Sequence, residues 1–227
     1  MLTDIFREIL FPRRCVACGS RDLTGTVCDV CQECIVPNQT LFCGACRARL
    51  PDGKKRCHHD FPYILGAATN YENPVIRKLI HALKFRRLRD AATPLADVLT
   101  DYVKRLPIDF RSFYVLAVPL SDRRRRERGF NQSDSIAREF AKRYHIARAE
   151  NILVRTRHTK PQSEIEGVAE RRKNMNGAFV VSPGATAPPR IILLDDVTTS
   201  GATFLAAATA LKAAGVRQIM ALAVAKA

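Results

Sequence analysis

The chain has 227 residues, 47% hydrophobic and 26% charged, enough for one core of roughly 100–200 residues plus a small appendage. That composition excludes disorder, a collagen helix or a coiled coil as the main state. Lys and Arg number 37 against 22 Asp and Glu, a formal charge of +15, and such a field attracts nucleic acid, acidic lipid, phosphates or an acidic protein without choosing among them. No apolar run reaches membrane-spanning length, and MLTDIFREILFPRR is broken by Asp4, Arg7 and Glu8. Neither a membrane span nor an ordinary signal peptide is expected, and a cytoplasmic location is the simplest expectation.

All eight cysteines lie between Cys15 and Cys57, which places a boundary near residue 60: a cysteine-rich module over 1–60, then a second domain over 61–227. CxxC pairs bring two thiolates onto one tight knuckle, a construction that suits a tetrahedral metal better than a secreted disulfide ladder. No βαβ context supports a redox CxxC. Cys15, Cys18, Cys28 and Cys31 form two knuckles whose four thiolates would close the shell of a structural zinc. For a second zinc, Cys43, Cys46 and Cys57 supply three ligands, and the fourth is Cys34, His58, His59 or Asp60. Thiolate is the softer ligand and Cys34 is otherwise unexplained, so Cys34 is the expected choice. Arg47, Arg49, Lys54, Lys55 and Arg56 make this module a candidate nucleic-acid contact; its plainer role is a metal-folded cap.

Beyond the cysteines the pattern becomes that of an α/β domain. A strand is predicted over 63–69, a helix over 73–85 with Val75, Ile76, Leu79, Ile80 and Leu83 at helical spacing, and another helix over 89–105. FYVLAV (113–118) is a buried strand and Asn131 to Tyr144 a helix. Short strands at 152–154 and 178–181 flank a polar stretch. IILL (191–194), a polar loop, a helix over 201–214 ended by Gly215, and a strand over 218–225 complete the chain. Apolar strands alternating with helices imply a mostly parallel sheet covered on both faces, with function at the C-terminal ends of the strands.

ILLDDVTTSGAT (192–203) stands at such an end. Asp195 and Asp196 leave the strand, Val197 turns inward, Thr198, Thr199 and Ser200 form a polar loop, and Gly201, Ala202 and Thr203 open the next helix. N–H groups, hydroxyls and a helix N-terminus converge as in a phosphate pocket. The acids suit a neighbouring need: accepting hydrogen bonds from ribose hydroxyls or positioning hydrated Mg²⁺. A Walker B strand is disfavoured because no GxxxxGK[ST] occurs. A phosphoacceptor site would not require the following cradle, and simple helix capping by Thr199 or Ser200 is the bland reading.

This stretch resembles the phosphoribosyl pyrophosphate signature of type I phosphoribosyltransferases. With IRKLIHALKF (76–85), VPLSDRRRRERGFNQS (118–133), RTRHTKPQSEIEGVAERRKNMNGAF (155–179) and the cysteine module, the chain is similar to the ComF family of competence-associated proteins over nearly its whole length. The resemblance implies a parallel-sheet phosphoribosyltransferase-like domain behind a zinc-ribbon-like module. It implies phosphoribosyl pyrophosphate, or another ribose phosphate, bound with Mg²⁺: Asp195 and Asp196 on the ribose hydroxyls, Thr198 through Thr203 on the 5′-phosphate. It also implies a part in uptake or processing of single-stranded DNA with DNA-uptake proteins, as an enzyme with an unknown acceptor or as a non-catalytic DNA-handling protein. Ser200 departs from a frequent Thr-Thr-Gly but keeps the hydroxyl; Asp60 stands where members often complete a second cysteine knuckle.

The remaining basic segments extend this picture. Arg123, Arg124, Arg125, Arg126 and Arg128 follow strand 113–118; if it neighbours 191–194, their loop overhangs the acids and meets pyrophosphate. Arg128-Gly129 is the sharpest candidate there, with Asn131 and Gln132 orienting the loop. Arg155, Arg157, His158, Lys160, Gln162, Arg171, Arg172 and Lys173 give a basic hood with few apolar anchors, a lid that orders on ligand. His158 reads as a surface or phosphate-contacting residue rather than a general base. Lys84 is another candidate phosphate contact and His81 a structural residue. No aromatic platform for bases is evident near the basic stretches, since packing accounts for Phe130 and Tyr144.

Overall fold

The computed structural model describes residues 14–21, 25–50, 57–157, 165 and 167–227. Expectations for the first 13 residues, Lys54, Lys55, Arg56, His158, Lys160 and Gln162 lie outside them. In chain order the elements are α1 (Asp29–Glu33), β1 (Leu41–Cys43), β2 (Arg49–Leu50), β3 (Ile64–Asn70), α2 (Pro74–Phe85), a 3₁₀ turn (Arg89–Ala91), α3 (Ala92–Lys104), β4 (Tyr114–Ala117), α4 (Asp122–Arg128), α5 (Gln132–Tyr144), β5 (Leu153–Arg155), α6 (Val168–Met175), β6 (Phe179–Val181), β7 (Arg190–Thr198), α7 (Ala202–Ala213) and β8 (Gln218–Lys226).

The central sheet runs β2-β1-β3-β8-β7-β4. Its β3, β8, β7 and β4 are parallel, while β1 lies antiparallel to β3 through Phe42↔Leu65 and Cys43↔Ile64. The mixed α/β architecture with a mostly parallel sheet therefore agrees with the apolar pattern. Successive β7 residues serve opposite cores. Ile192 and Leu194 pack with α2, α3 and α5, whereas Ile191 and Leu193 pack with Phe204, Ala207 and Leu211 of α7. Both faces are covered, which is why these strands read as continuous apolar runs.

Helix α2 begins where Pro74 presets the first turn and Asn73 Oδ1 accepts from the N–H groups of Val75 and Ile76 at 3.0 and 3.2 Å, the usual remedy for unpaired first-turn donors. Its stripe of Val75, Ile76, Leu79, Ile80 and Leu83 is buried, each side chain worth about 1.5–3 kcal/mol. This fixes where the helix ends, and so where Lys84 and Phe85 stand.

The sheet crosses the boundary expected at residue 60, because β1 and β2 of the cysteine-rich region pair onto it. Cys15, Val27, Cys28 and Cys31 join the α2–α3 core, Thr26 Oγ1 donates to the Asp90 carbonyl, and Tyr102 Oη donates to the Thr40 carbonyl at 2.7 Å. No helix among the described residues is long and apolar enough to cross a membrane.

Two local expectations change. The arginines after β4 form helix α4, because Ser121 Oγ caps it at the Arg124 N–H and Gly129, at φ 79°, ends it. The strand expected over 191–194 continues to Thr198, since Asp195, Val197 and Thr198 pair with Ala223, Ala225 and Lys226 of β8.

Candidate functional site

A cavity of about 750 Å³ opens at the C-terminal ends of β4 and β7. Strand β4 does lie beside β7, in the register Ala117↔Leu194, so α4 stands next to the acids. Asp195, Asp196, Val197, Thr198, Thr199, Gly201, Ala202 and Thr203 line the cavity, together with Arg128. Ser200 does not; it is buried, with its Oγ accepting from the Ala202 N–H at 3.4 Å. Its hydroxyl shapes the start of α7 from behind. Gly201 takes φ 70° at the N-cap, a left-handed conformation that suits glycine. Its carbonyl accepts from Tyr63 Oη at 3.3 Å.

The acids are held differently. Asp195 Oδ1 accepts from Ser133 Oγ at 2.7 Å and from the Asp196 N–H at 2.9 Å. Loss of water around it, then the neighbouring Asp196 charge, push its carboxyl up to about 6 against the opposing pull of Ser133 and Lys84. Asp196 is buried and paired with Lys84, Nζ to Oδ1 at 2.7 Å. Lys84, expected as a phosphate contact, neutralises an acid at the cavity floor.

Arg124, Arg128 and Arg155 bring guanidinium groups to the wall. Arg128 Nη1 is steadied by Gln132 Oε1 at 2.9 Å. Asn131 Nδ2 donates to the Val118 carbonyl at 3.0 Å, tying the loop as expected. Arg123 instead pairs with Glu127 at 2.8 Å, and Arg125 and Arg126 face outward as exposed residues. Arg155 is 8% exposed, far from the loose surface group its hood setting suggested. Burial, then the charge of Arg124, lower its pKa to about 10, with Asp195 pulling the other way. The hood is anchored where β5 pairs with β6 and where Met175 and Phe179 enter the α7 core.

Two clusters can hold metal. In the first, Cys15, Cys18, Cys28 and Cys31 place their sulfurs within 4.8 Å of one another, with Cys18 and Cys28 at 3.6 Å. In the second, Cys46 and Cys57 sulfurs stand 3.4 Å apart, and His58 Nδ1 lies 3.4 Å from both Cys43 and Cys57. A tetrahedral zinc would separate two sulfurs by about 3.8 Å and sulfur from nitrogen by about 3.6 Å. Both donor sets fit.

Cys34, the expected fourth ligand, lies outside both groups. It ends α1 as an exposed residue whose carbonyl accepts from Asn73 Nδ2 at 2.8 Å, while His58 completes the second group. The turn at 57–60 brings the imidazole back onto the Cys43–Cys46 knuckle, and that turn was not legible from ligand softness. Burial raises Cys43, but N–H donation from Cys46, a Cys57 contact and further donors outweigh it and hold its thiol near 6. Contact with Cys43 and Cys46 pushes Cys57 up to about 12. In the first cluster burial likewise opposes, and N–H donation from Cys28, Cys18 and Ala17 outweighs it, leaving Cys15 near 6. One thiolate thus forms readily in each group and discourages the next, a tension that a dication relieves.

No family model matches the chain. It is 31% identical over 189 residues to the DNA utilization protein YhgH of Escherichia coli O157:H7, covering 78% of this chain and 80% of that one. It is 27% identical to competence protein F of Haemophilus influenzae, over 92% of this chain and 95% of the relative. Competence protein ComFC of Streptococcus pneumoniae is 24% identical, over 94% and 90%. With these relatives matched along most of their length, and with the DD-turn, the RERGFNQS segment and the paired thiols in place, the chain belongs to the ComF family.

Proposed function

We propose that the cavity binds the ribose 5-phosphate portion of phosphoribosyl pyrophosphate, in a cytoplasmic protein serving DNA uptake or processing. The carrying observation is the convergence of Asp195 and Asp196 with the 198–203 turn and the N-terminus of α7 on one cavity. Consecutive N–H groups and hydroxyls there suit a phosphate dianion. The carboxylates suit the vicinal hydroxyls of a ribose ring, which donate to them. Arg124, Arg128 and Arg155 suit pyrophosphate oxygens, where planar guanidinium groups bind in pairs.

Two carboxylates beside a pyrophosphate seat also suit Mg²⁺, which when bound supplies charge neutralisation for the phosphates. The chain's own residues do the rest. Lys84 holds Asp196 in place until the ribose hydroxyls arrive. Ser133 orients Asp195. The arginines stabilise negative charge at the pyrophosphate end, as displacement at ribose C1 requires. Among the described residues lining the cavity there is no histidine, so ligand binding is the core of the proposal and turnover with an acceptor its enzymatic extension.

Isothermal titration tests it. The native protein should bind phosphoribosyl pyrophosphate with Mg²⁺ and ribose 5-phosphate more weakly, and the Asp195→Asn/Asp196→Asn double variant should bind the former at least about ten-fold more weakly, a loss of roughly 1.4 kcal/mol. No binding by the folded native protein rejects the assignment. Binding without pyrophosphate release across nucleobases, amines and DNA ends favours the second reading, a non-catalytic single-strand-handling protein. That reading is supported by the names of the relatives, by Arg87 lining the cavity and by the exposed Arg86, Arg125 and Arg126 on the neighbouring turn and helix.

A further inference from the structure

Helix α2 buries one face, and Phe85 is not on it. Leu83 is fully enclosed, whereas Phe85, two residues on, is 63% exposed. It is the most exposed aromatic ring among the described residues; Tyr114, next at 39%, stands at the opposite end of the parallel strands. A single exposed apolar side chain requires no explanation, but two neighbours and the adjoining cavity make this one a constructed surface. His81, one turn earlier and expected to be a structural residue, is exposed. Its ring lies 4.7 Å from that of Phe85 at 43°, an i,i+4 pair on the solvent face. The Arg128 guanidinium stands 5.8 Å from the Phe85 centroid, held by Gln132. Phe85 also lines the mouth of the cavity whose floor carries Asp196, paired with the adjacent Lys84.

Charge decides what this ring can receive. Arg86 and Arg87 follow it directly, with Arg125 and Arg126 exposed on α4, and Arg87 Nη2 ties the two elements by donating to the Glu127 carbonyl at 3.1 Å. An apolar peptide has no charge for these cations to meet, and a neutral aromatic would use them only through cation–π contact. A flat ring carried on phosphates uses both features: its face stacks on phenyl, and its anionic backbone meets arginine.

We infer that Phe85, with His81 beside it, is a stacking seat for a nucleobase borne on a sugar-phosphate, from a free nucleotide or from a single strand. The inference deepens the reading of the cavity as a ribose-phosphate site and rests on it for the direction in which the sugar-phosphate enters.

The test uses the full, metal-loaded chain as native protein, Phe85→Ala and Phe85→Tyr, each checked for an unchanged melting profile. Fluorescence anisotropy is read with a short thymidine strand and with an abasic strand of equal length and charge, and thymidine monophosphate is added as competitor. The native protein should prefer the base-carrying strand by about five-fold or more, the least that one stacked base contributes. Phe85→Ala should bring that ratio to near one while the abasic affinity holds, and Phe85→Tyr should retain it. Competition by thymidine monophosphate that depends on Phe85 identifies a free nucleotide as sufficient; its absence assigns the seat to a strand.

Equal binding of both strands by the native protein overturns the inference. So does a Phe85→Ala loss shared by both strands, or no binding of either strand or the nucleotide. A separate titration of native protein with phosphoribosyl pyrophosphate judges the cavity: if it fails while the base preference persists, the ribose-phosphate reading falls and the stacking seat stands.

Discussion

Lys84 Nζ and Asp196 Oδ1 meet at 2.7 Å beneath the cavity, with side chains 19% and 9% exposed. One comes from the last turn of α2 and the other from β7, so the pair joins two elements that sequence separates widely. Removing Lys84 leaves a buried carboxylate without its counter-ion. Lys84→Met should destabilise the protein by roughly 3 kcal/mol, the lower end of one-sided loss of a buried pair because Lys84 is partly solvated. Adding Asp196→Asn should recover most of that loss. Urea unfolding of the two singles and the double measures the coupling; simple additivity would show that the pair contributes no mutual stabilisation.

Asp195 makes the site pH-sensitive in two opposite ways. Its carboxyl is pushed up to about 6, against an unfolded value near 3.9. Between these values the folded chain holds a proton that the unfolded chain has lost, so the contribution is present below the unfolded pKa and lost as pH rises through about 6. The ionised form accepts from a ribose hydroxyl more strongly than the protonated acid does. Affinity for ribose 5-phosphate should therefore rise through the same window. Asp195→Asn should remove that component and leave the one due to the ligand's own phosphate ionisation near 6, which titrations across that range will separate.

Elemental analysis should find two zinc ions per chain, one for each cluster. Cys18→Ser and His58→Ala should each lower the content by one site, and Cys34→Ser should leave it unchanged. Loss of zinc on Cys34→Ser with retention on His58→Ala would restore the ligand set that thiolate softness favours.

Gly201 and Tyr63 give a third point of leverage on the cavity. A Cβ at Gly201 would stand 2.8 Å from Tyr63 Oη on a backbone at φ +70°. Gly201→Ala should cost about 1–3 kcal/mol through strain and weaken phosphate binding as the turn shifts. Tyr63→Phe keeps the ring and removes the hydroxyl with its hydrogen bond to the Gly201 carbonyl, at about 1 kcal/mol. Comparing melting and ribose 5-phosphate affinity for both variants distinguishes a displaced turn from a missing hydroxyl.

Salt should report on the outer arginines. For single strands, log K falls by about 0.7 per contacted phosphate per log unit of salt. Arg125→Gln/Arg126→Gln should make that slope shallower by roughly 0.7 for each phosphate these two side chains neutralise. An unchanged slope would exclude them from the strand path.

Local pattern alone locates much of this fold. Helical spacing in NPVIRKLIHALKF marks α2, the apolar IILL marks β7, and the turn chemistry of DDVTTSGAT marks the cavity before any packing is known. What stayed illegible depends on partners distant in sequence. Ser133 reaches Asp195 across 62 positions, and Tyr63 reaches Gly201 across 138. Arg155 reads as one of many basic hood residues, and only the approach of β5 and β6 to α7 shows it buried. The continuation of β7 to Thr198 likewise depends on pairing with β8, since polar side chains at the end of a strand look like loop.

The hairpin of β1 and β2 has a consequence for solubility. It covers the outer hydrogen-bonding margin of β3, where Phe42 and Cys43 pair with Leu65 and Ile64 and the Asn38 N–H reaches the Ala68 carbonyl. Cys43 is both a rung of that ladder and a member of the second cluster, so an ion bound there would also hold the hairpin over the margin of an apolar strand that would otherwise present itself to other chains. Chelation or oxidation at this cluster should therefore loosen the hairpin and expose that margin to aggregation.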